Sequence, residues 1–139
     1  AARVHAPGAA MEHLRAALAI DPQQIALYPV LIALLDKGGD TASAYDWRKR
    51  ALAVDQGNPE LVQALLAGAS AQAASASDIL RWGEMGIHIA PFDADLQTLF
   101  AKELVRIGDK SRAAEVVGIA LAASPDHKGA RALAKDLGL

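Results

Sequence analysis

The residues weighed first for chemistry in this chain are its four histidines, its sixteen carboxylates and its glycine pairs, and it contains no cysteine. A thiolate nucleophile, a disulfide and a cysteine-bound metal are excluded, although the absence of cysteine does not fix the compartment. His5, His13, His88 and His127 are scattered, and none stands at metal spacing from another histidine or a carboxylate pair. Glu12-His13 lacks the second histidine of a zinc-binding helix, so it reads as solvated surface. Asp36, Asp40, Asp46 and Asp55 could be drawn together for acid–base work, but they fall at turns and on outer faces, where solvation accounts for them. Gly38-Gly39-Asp40 has no Lys-Ser/Thr after it, which makes it a helix-to-helix turn rather than a phosphate loop. No nucleophile-elbow pattern (Gly-x-Ser-x-Gly) or dinucleotide fingerprint occurs. The expectation is a non-enzyme with no catalytic residue, no metal site and no cofactor.

The elements that hold these residues follow from composition. Of the 139 residues, 53% are hydrophobic, 22% charged and only 4% aromatic. Alanine alone supplies roughly a quarter of the chain, and it favours close-packed helices over strands. This is the composition of a soluble globular protein, open to either bacterial cytoplasm or periplasm. The net charge of −2, with signs alternating along the chain, argues against nucleic acid and anionic membrane as partners. No stretch approaches the ~18 apolar residues of a membrane helix, so membrane insertion is not expected. The opening Ala1-Ala2-Arg3-Val4-His5 has neither an initiator Met nor a signal-peptide pattern and reads as the start of an excised fragment.

One layout recurs. Ala10, Leu14, Ala17, Leu18 and Pro22 are followed 34 residues later by Ala44, Ala51 and Leu52, with Gln56 in the place of Pro. Ile79, Gly83, Gly86, Ile87 and Pro91 form a weaker copy, and Ala113, Val117, Ala120, Leu121 and Pro125 form the last. The closing positions 22, 56, 91 and 125 are thus 34, 35 and 34 residues apart. Asp21-Pro22, Asn58-Pro59, Ala90-Pro91 and Ser124-Pro125 stop one helix and start the next. Gly38-Gly39-Asp40 and Gly108-Asp109 divide units midway. Between these marks apolar residues step by three and four, which predicts eight helices near 9–20, 24–37, 41–55, 59–71, 77–90, 94–107, 110–123 and 127–137.

The register, the small-x₃-large-x₂-Ala-Leu-x₃-Pro ending and the mid-unit Gly-Asp turn resemble a tetratricopeptide-repeat (TPR) array from Ala10 to Leu137. HEAT-like and Sel1-like solenoids fit the repeat length less well. The usual aromatic near the start of a first helix is Tyr28, but Val62 and Gln97 stand there later. The small residue in its middle is Ala101, but Ile32 and Leu66 elsewhere. The resemblance implies an all-α solenoid of antiparallel helix pairs, about eight helices wound as a TPR-like superhelix, with residues 1–9 as an extension and 127–137 as a capping helix. Ala17, Ala51 and Ala120 would sit where helices approach most closely. The likeness of the final stretch to TPR tails of larger bacterial hydrolases implies an alternative, an accessory C-terminal tail serving domain packing or self-association.

The family's inner, concave face, carried over position by position, is Ala26, Pro29 and Ala33, then Glu60, Gln63 and Ala67, then Asp95, Thr98 and Lys102. Of the Lys and Asn that grip a C-terminal carboxylate in the family, these positions hold only Lys102, in the last unit, so they suit an apolar or extended segment or a helix. The implied function is a scaffold for a protein or peptide. Trp47 and Trp82, 35 residues apart, occupy equivalent sites on second helices, with core packing and partner contact both open as roles. Arg48-Lys49-Arg50 reads as a solvated face. Ala67 to Ser77, with Gly83 and Gly86 beyond, reads as a flexible turn or a hinge. Because the array opens on a second helix, the stripe of Met11, Leu14 and Leu18 is expected to be an uncovered end, available to a missing upstream domain or to a second copy.

Overall fold

The computed structural model describes residues 7–139. Among them are eight helices and no strand: α1 (Pro7–Ile20), α2 (Leu27–Lys37), α3 (Thr41–Val54), α4 (Pro59–Gly68), α5 (Ala76–Ile89), α6 (Ala94–Arg106), α7 (Lys110–Ala123) and α8 (Lys128–Asp136). The expectations for His5 and for residues 1–6 of the extension lie outside the described residues. Two compact units divide the helices, α1–α3 in one that ends at Gly57 and α4–α8 in one running Asn58–Leu139.

Side-chain acceptors start six of the helices. Asp40, Asp93 and Asp109 accept the N–H groups of Ser43, Leu96 and Arg112 at 3.1, 3.1 and 3.0 Å. Asn58 accepts from Glu60 and Leu61, Ser75 from Asp78, and His127 Nδ1 from Ala130 at 3.0 Å. Each acceptor satisfies an N–H that the helix itself cannot, which stabilises by about 1 kcal/mol. The bonds from Ser43 also hold the Asp40 carboxyl below the usual carboxylate range. This shift favours the folded state above the unfolded pKa, and the effect is lost as pH falls through the folded one. α2 lacks such a cap. Gln24 donates from Nε2 to the carbonyls of Ala17 and Asp21, and the helix begins at Leu27 rather than near 24.

Helix ends use one repeated device. Gly39 and Gly108 take φ of +82° and +92°. In each case the next residue, Asp40 or Asp109, donates its N–H back to Leu35 or Leu104 and caps the following helix with its carboxylate. After α4 the same closure is made by Ala73, at φ +51°, with Ala74 N–H donating to Ala69. The cap is then Ser75, one residue later than in the glycine turns, and this is the extra residue of the 35-residue unit. α4 itself stops at Gly68, earlier than the apolar pattern suggests.

In the first unit α2 packs on both α1 and α3, burying Tyr28, Leu31, Ile32 and Leu35 with Ala44, Tyr45, Ala51 and Leu52. In the second, α4, α6 and α8 lie side by side, with α5 and α7 packed against that row. Its core holds Trp82, Phe100, Leu65, Leu66, Leu96 and Leu104. Ala120 is fully buried with Ala94 and Ala130, whereas Ala17 is only half-buried. The two glycines of α5 are packing positions. A Cβ on Gly83 would lie 2.1 Å from the Phe100 ring, and one on Gly86 would lie 2.4 Å from Leu96 Cδ2.

Two outcomes are expected from chemical denaturation. Ala73→Gly relieves a left-handed alanine and raises stability by about 1 kcal/mol, provided the turn is as described. Gly83→Ala lowers it by about 1–3 kcal/mol, despite alanine's better helix propensity, because the Phe100 ring occupies the space the methyl needs. A Gly83→Ala protein as stable as the parent would show that α5 and α6 are not this close.

Candidate interaction surface

On α2 the burial of Tyr28, Leu31, Ile32 and Leu35 turns the opposite side outward. Ala26, Pro29 and Ala33 are exposed there, and Ile25 and Val30 join them at 45% and 50% exposure. From Pro22 to Leu35 the chain carries no charged residue. Pro29 fits because it lies in the first turn of α2, where its missing N–H breaks no helical bond. The result is an outward, uncharged, largely apolar helix face.

The second unit presents a different surface. Glu60, Ala67, Asp95 and Lys102 are exposed and Gln63 is half-buried. Thr98, expected on the same open face, is only 4% exposed. Its hydroxyl donates to the Ala94 carbonyl at 2.7 Å, and its methyl lies 3.3 Å from where a Cβ on Gly129 would be. α8 therefore covers Thr98, which is a packing residue and not a contact position. Asp95 is also engaged, 2.5 Å from His127 Nε2. Because His127 Nδ1 accepts the Ala130 N–H, the ring proton sits on Nε2 and is donated to the Asp95 carboxylate. One imidazole thus caps α8 and ties it to α6.

The other expected contacts separate in the same way. Trp82 is 1% exposed, so it is core and not a surface hot spot. Trp47 is half-buried, with the Tyr28 ring at 6.2 Å and the Arg50 guanidinium 4.4 Å above its face. Arg48 bonds Asp36 of α2 at 2.6 Å, and Lys49 lies 5.4 Å from the Tyr45 ring, so this basic run is held by its neighbours. At the N-terminal end, α1 packs on α2 and Leu18 is 3% exposed, which removes it from the expected uncovered stripe. Met11 and Leu14 are half-buried. Among the described residues no group of three histidines or carboxylates could hold a metal ion, and no helix is long and apolar enough to cross a membrane.

Sequence reasoning missed Ile25 and Val30. The three-and-four step picks out Tyr28, Leu31, Ile32 and Leu35, the residues α2 buries, but apolar residues fill its outward positions too and the step does not single those out. The missing charge from Pro22 to Leu35 is the signal that was there to use. Gln97, which departs from the aromatic seen at Tyr28, takes over that residue's bond: both donate at 2.8 Å to a proline carbonyl six residues earlier.

No family model matches the sequence, and no curated protein is similar to it. Solved structures do match. A crystal structure of MamA protein superposes with a TM-score of 0.64 at 18% identity, covering 86% of this chain and 64% of that one. A second crystal structure of MamA gives 0.70 at 15% identity, covering 95% of this chain and 82% of that one. The likeness is one of fold. It shows an all-helical, TPR-like architecture, in a chain that spans 64% of the length of the first of these structures.

His127 stands in register with the caps Asn58 and Asp93, so its removal is a direct test of that role. His127→Ala should lower stability by about 1 kcal/mol in urea titration, and His127→Asn, which keeps an acceptor, should lower it less. Equal losses from the two variants would mean that the link to Asp95 matters and the cap does not.

Proposed function

We propose that this protein is a non-enzymatic scaffold that binds a protein or peptide on the outward faces of its first helices. One observation carries the reading: the surface made by Ile25 and Ala26 in the turn before α2 and by Pro29, Val30 and Ala33 on it is exposed, apolar and free of charge. Apolar side chains held in water at helical spacing are what an amphipathic helix or extended apolar segment covers on docking. In the second unit, taken by itself, Glu60, Asp95 and Lys102 make the outward surface of the first helices charged. The TPR-like fold supports the reading as a general class. The same face of α2 would seat a covalently attached domain if the chain serves as the tail of a larger protein.

Peptides selected from a random display library against the full chain provide the test. Binding should weaken at least about tenfold with Val30→Glu or Ala33→Glu, since either places a charge against the apolar segment. Trp82 and Leu18 are core and are not suitable probes. Peptides that bind the two variants as well as the parent would remove α2 as the contact face.

A further inference from the structure

His127 makes two hydrogen bonds that demand different things of one ring. Its Nδ1 accepts the Ala130 N–H at 3.0 Å, and its Nε2 donates to Asp95 Oδ1 at 2.5 Å. Ala130 lies in the first turn of α8, where an N–H has no carbonyl of its own helix to reach. The other caps are the side chains of Asp40, Asn58, Ser75, Asp93 and Asp109. Imidazole alone among these groups ordinarily changes its charge close to neutrality. The charged ring carries a proton on both nitrogens and has no acceptor left. Its new Nδ1–H would face the Ala130 N–H and end that bond, whereas the Nε2–H bond to Asp95 would persist as an ion pair.

The charges around the ring are few. α6 and α7 are the helices packed on α8. α6 sets Asp95 against the ring, while its Lys102, Glu103 and Arg106 lie further along the helix, with Arg106 bonded to Glu103 at 2.8 Å. On α7 the charges are Lys110, Arg112 and Glu115, Arg112 being held by Glu84 and Glu115, and the stretch from Val116 to Ala123 has none. α8 and the turn before it add Asp126, Lys128 and Arg131 near the ring, with Arg131 3.9 Å from Asp126, and Lys135 and Asp136 at the far end. The backbone N–H groups at the start of α8 repel a positive ring, and Asp95 attracts it. The two bonds of His127 thus respond to acid in opposite senses.

We propose that His127 makes the first turn of α8 pH-responsive: acid frees the Ala130 N–H while the ring stays on Asp95. The turn that loosens is a covering one. Gly129 lies against the Thr98 methyl, and Ala130 is buried with Ala94 and Ala120. Its release uncovers Thr98, between the exposed Asp95 and Lys102 on α6. The device lies within the second unit and does not depend on the α2 face.

NMR of the full chain tests it by following the His127 ring and the Ala130 amide through one pH titration. Protection of Ala130, corrected for intrinsic exchange, should fall roughly fivefold with the midpoint of the ring, the ratio that loss of one cap sets. The nuclear Overhauser contact between Gly129 and the Thr98 methyl should weaken over the same range. His127→Asn keeps an acceptor and should abolish the response with α8 still folded, whereas His13→Gln and His88→Gln should leave it intact. Asp95→Asn should move the ring midpoint and the Ala130 response together. Protection of Ala130 that stays constant or rises as the ring becomes charged would overturn the proposal. So would a response that survives in His127→Asn, or ring and amide midpoints that separate in Asp95→Asn.

Discussion

The orientation of each helix depends on where the preceding turn lets it begin. In the glycine turns one left-handed residue closes a helix, and the next residue uses its N–H to finish that closure and its carboxylate to open the following helix. A residue added or removed between these tasks shifts the start of the second helix by one position, about 100° of rotation that the turn itself must absorb. Gly39-Asp40 and Gly108-Asp109 meet the constraint directly. The turn after α4 meets it with a strained alanine and one spare residue, and there the unit lengthens to 35.

With helix starts fixed, side-chain size decides how near the helices come. Gly83 and Gly86 bring α5 against Phe100 and Leu96, so residues that cost helix propensity gain close contact. Such glycines describe a tight interface. Trp82, in the same helix, is filled around completely, while its counterpart Trp47 is finished by the Arg50 guanidinium at the surface. Equivalent positions in a repeat therefore need not have equivalent roles. Tyr28 and Gln97 show the converse, two unlike side chains making the same bond.

Much of this was legible in the sequence because turn chemistry is local. The proline and glycine punctuation gives eight helices, with errors where the local code is ambiguous: no side-chain cap marks the start of α2 at Leu27, and the alanine-rich stretch after Gly68 lacks a glycine to mark its turn. Burial was harder to read, because it depends on helices distant in sequence. Thr98 lies under Gly129 of α8, and Leu18 is buried although no first helix precedes α1 among the described residues. The His127–Asp95 link spans 32 residues and has no signature in either local segment.

What distinguishes the surface is the contrast between an uncharged α2 face and the charged first helices of the second unit. Burying an exposed valine or isoleucine stabilises a complex by roughly 1.5–3 kcal/mol before ordering costs, and Ile25 and Val30 would supply that driving force to the proposed contact. The measurement that tests this most directly is methyl NMR of the full chain during titration with a bound peptide. The account predicts intermolecular contacts to the methyl groups of Ile25, Val30 and Ala33. Contacts confined to other methyl groups, with those three unchanged at saturation, would contradict it.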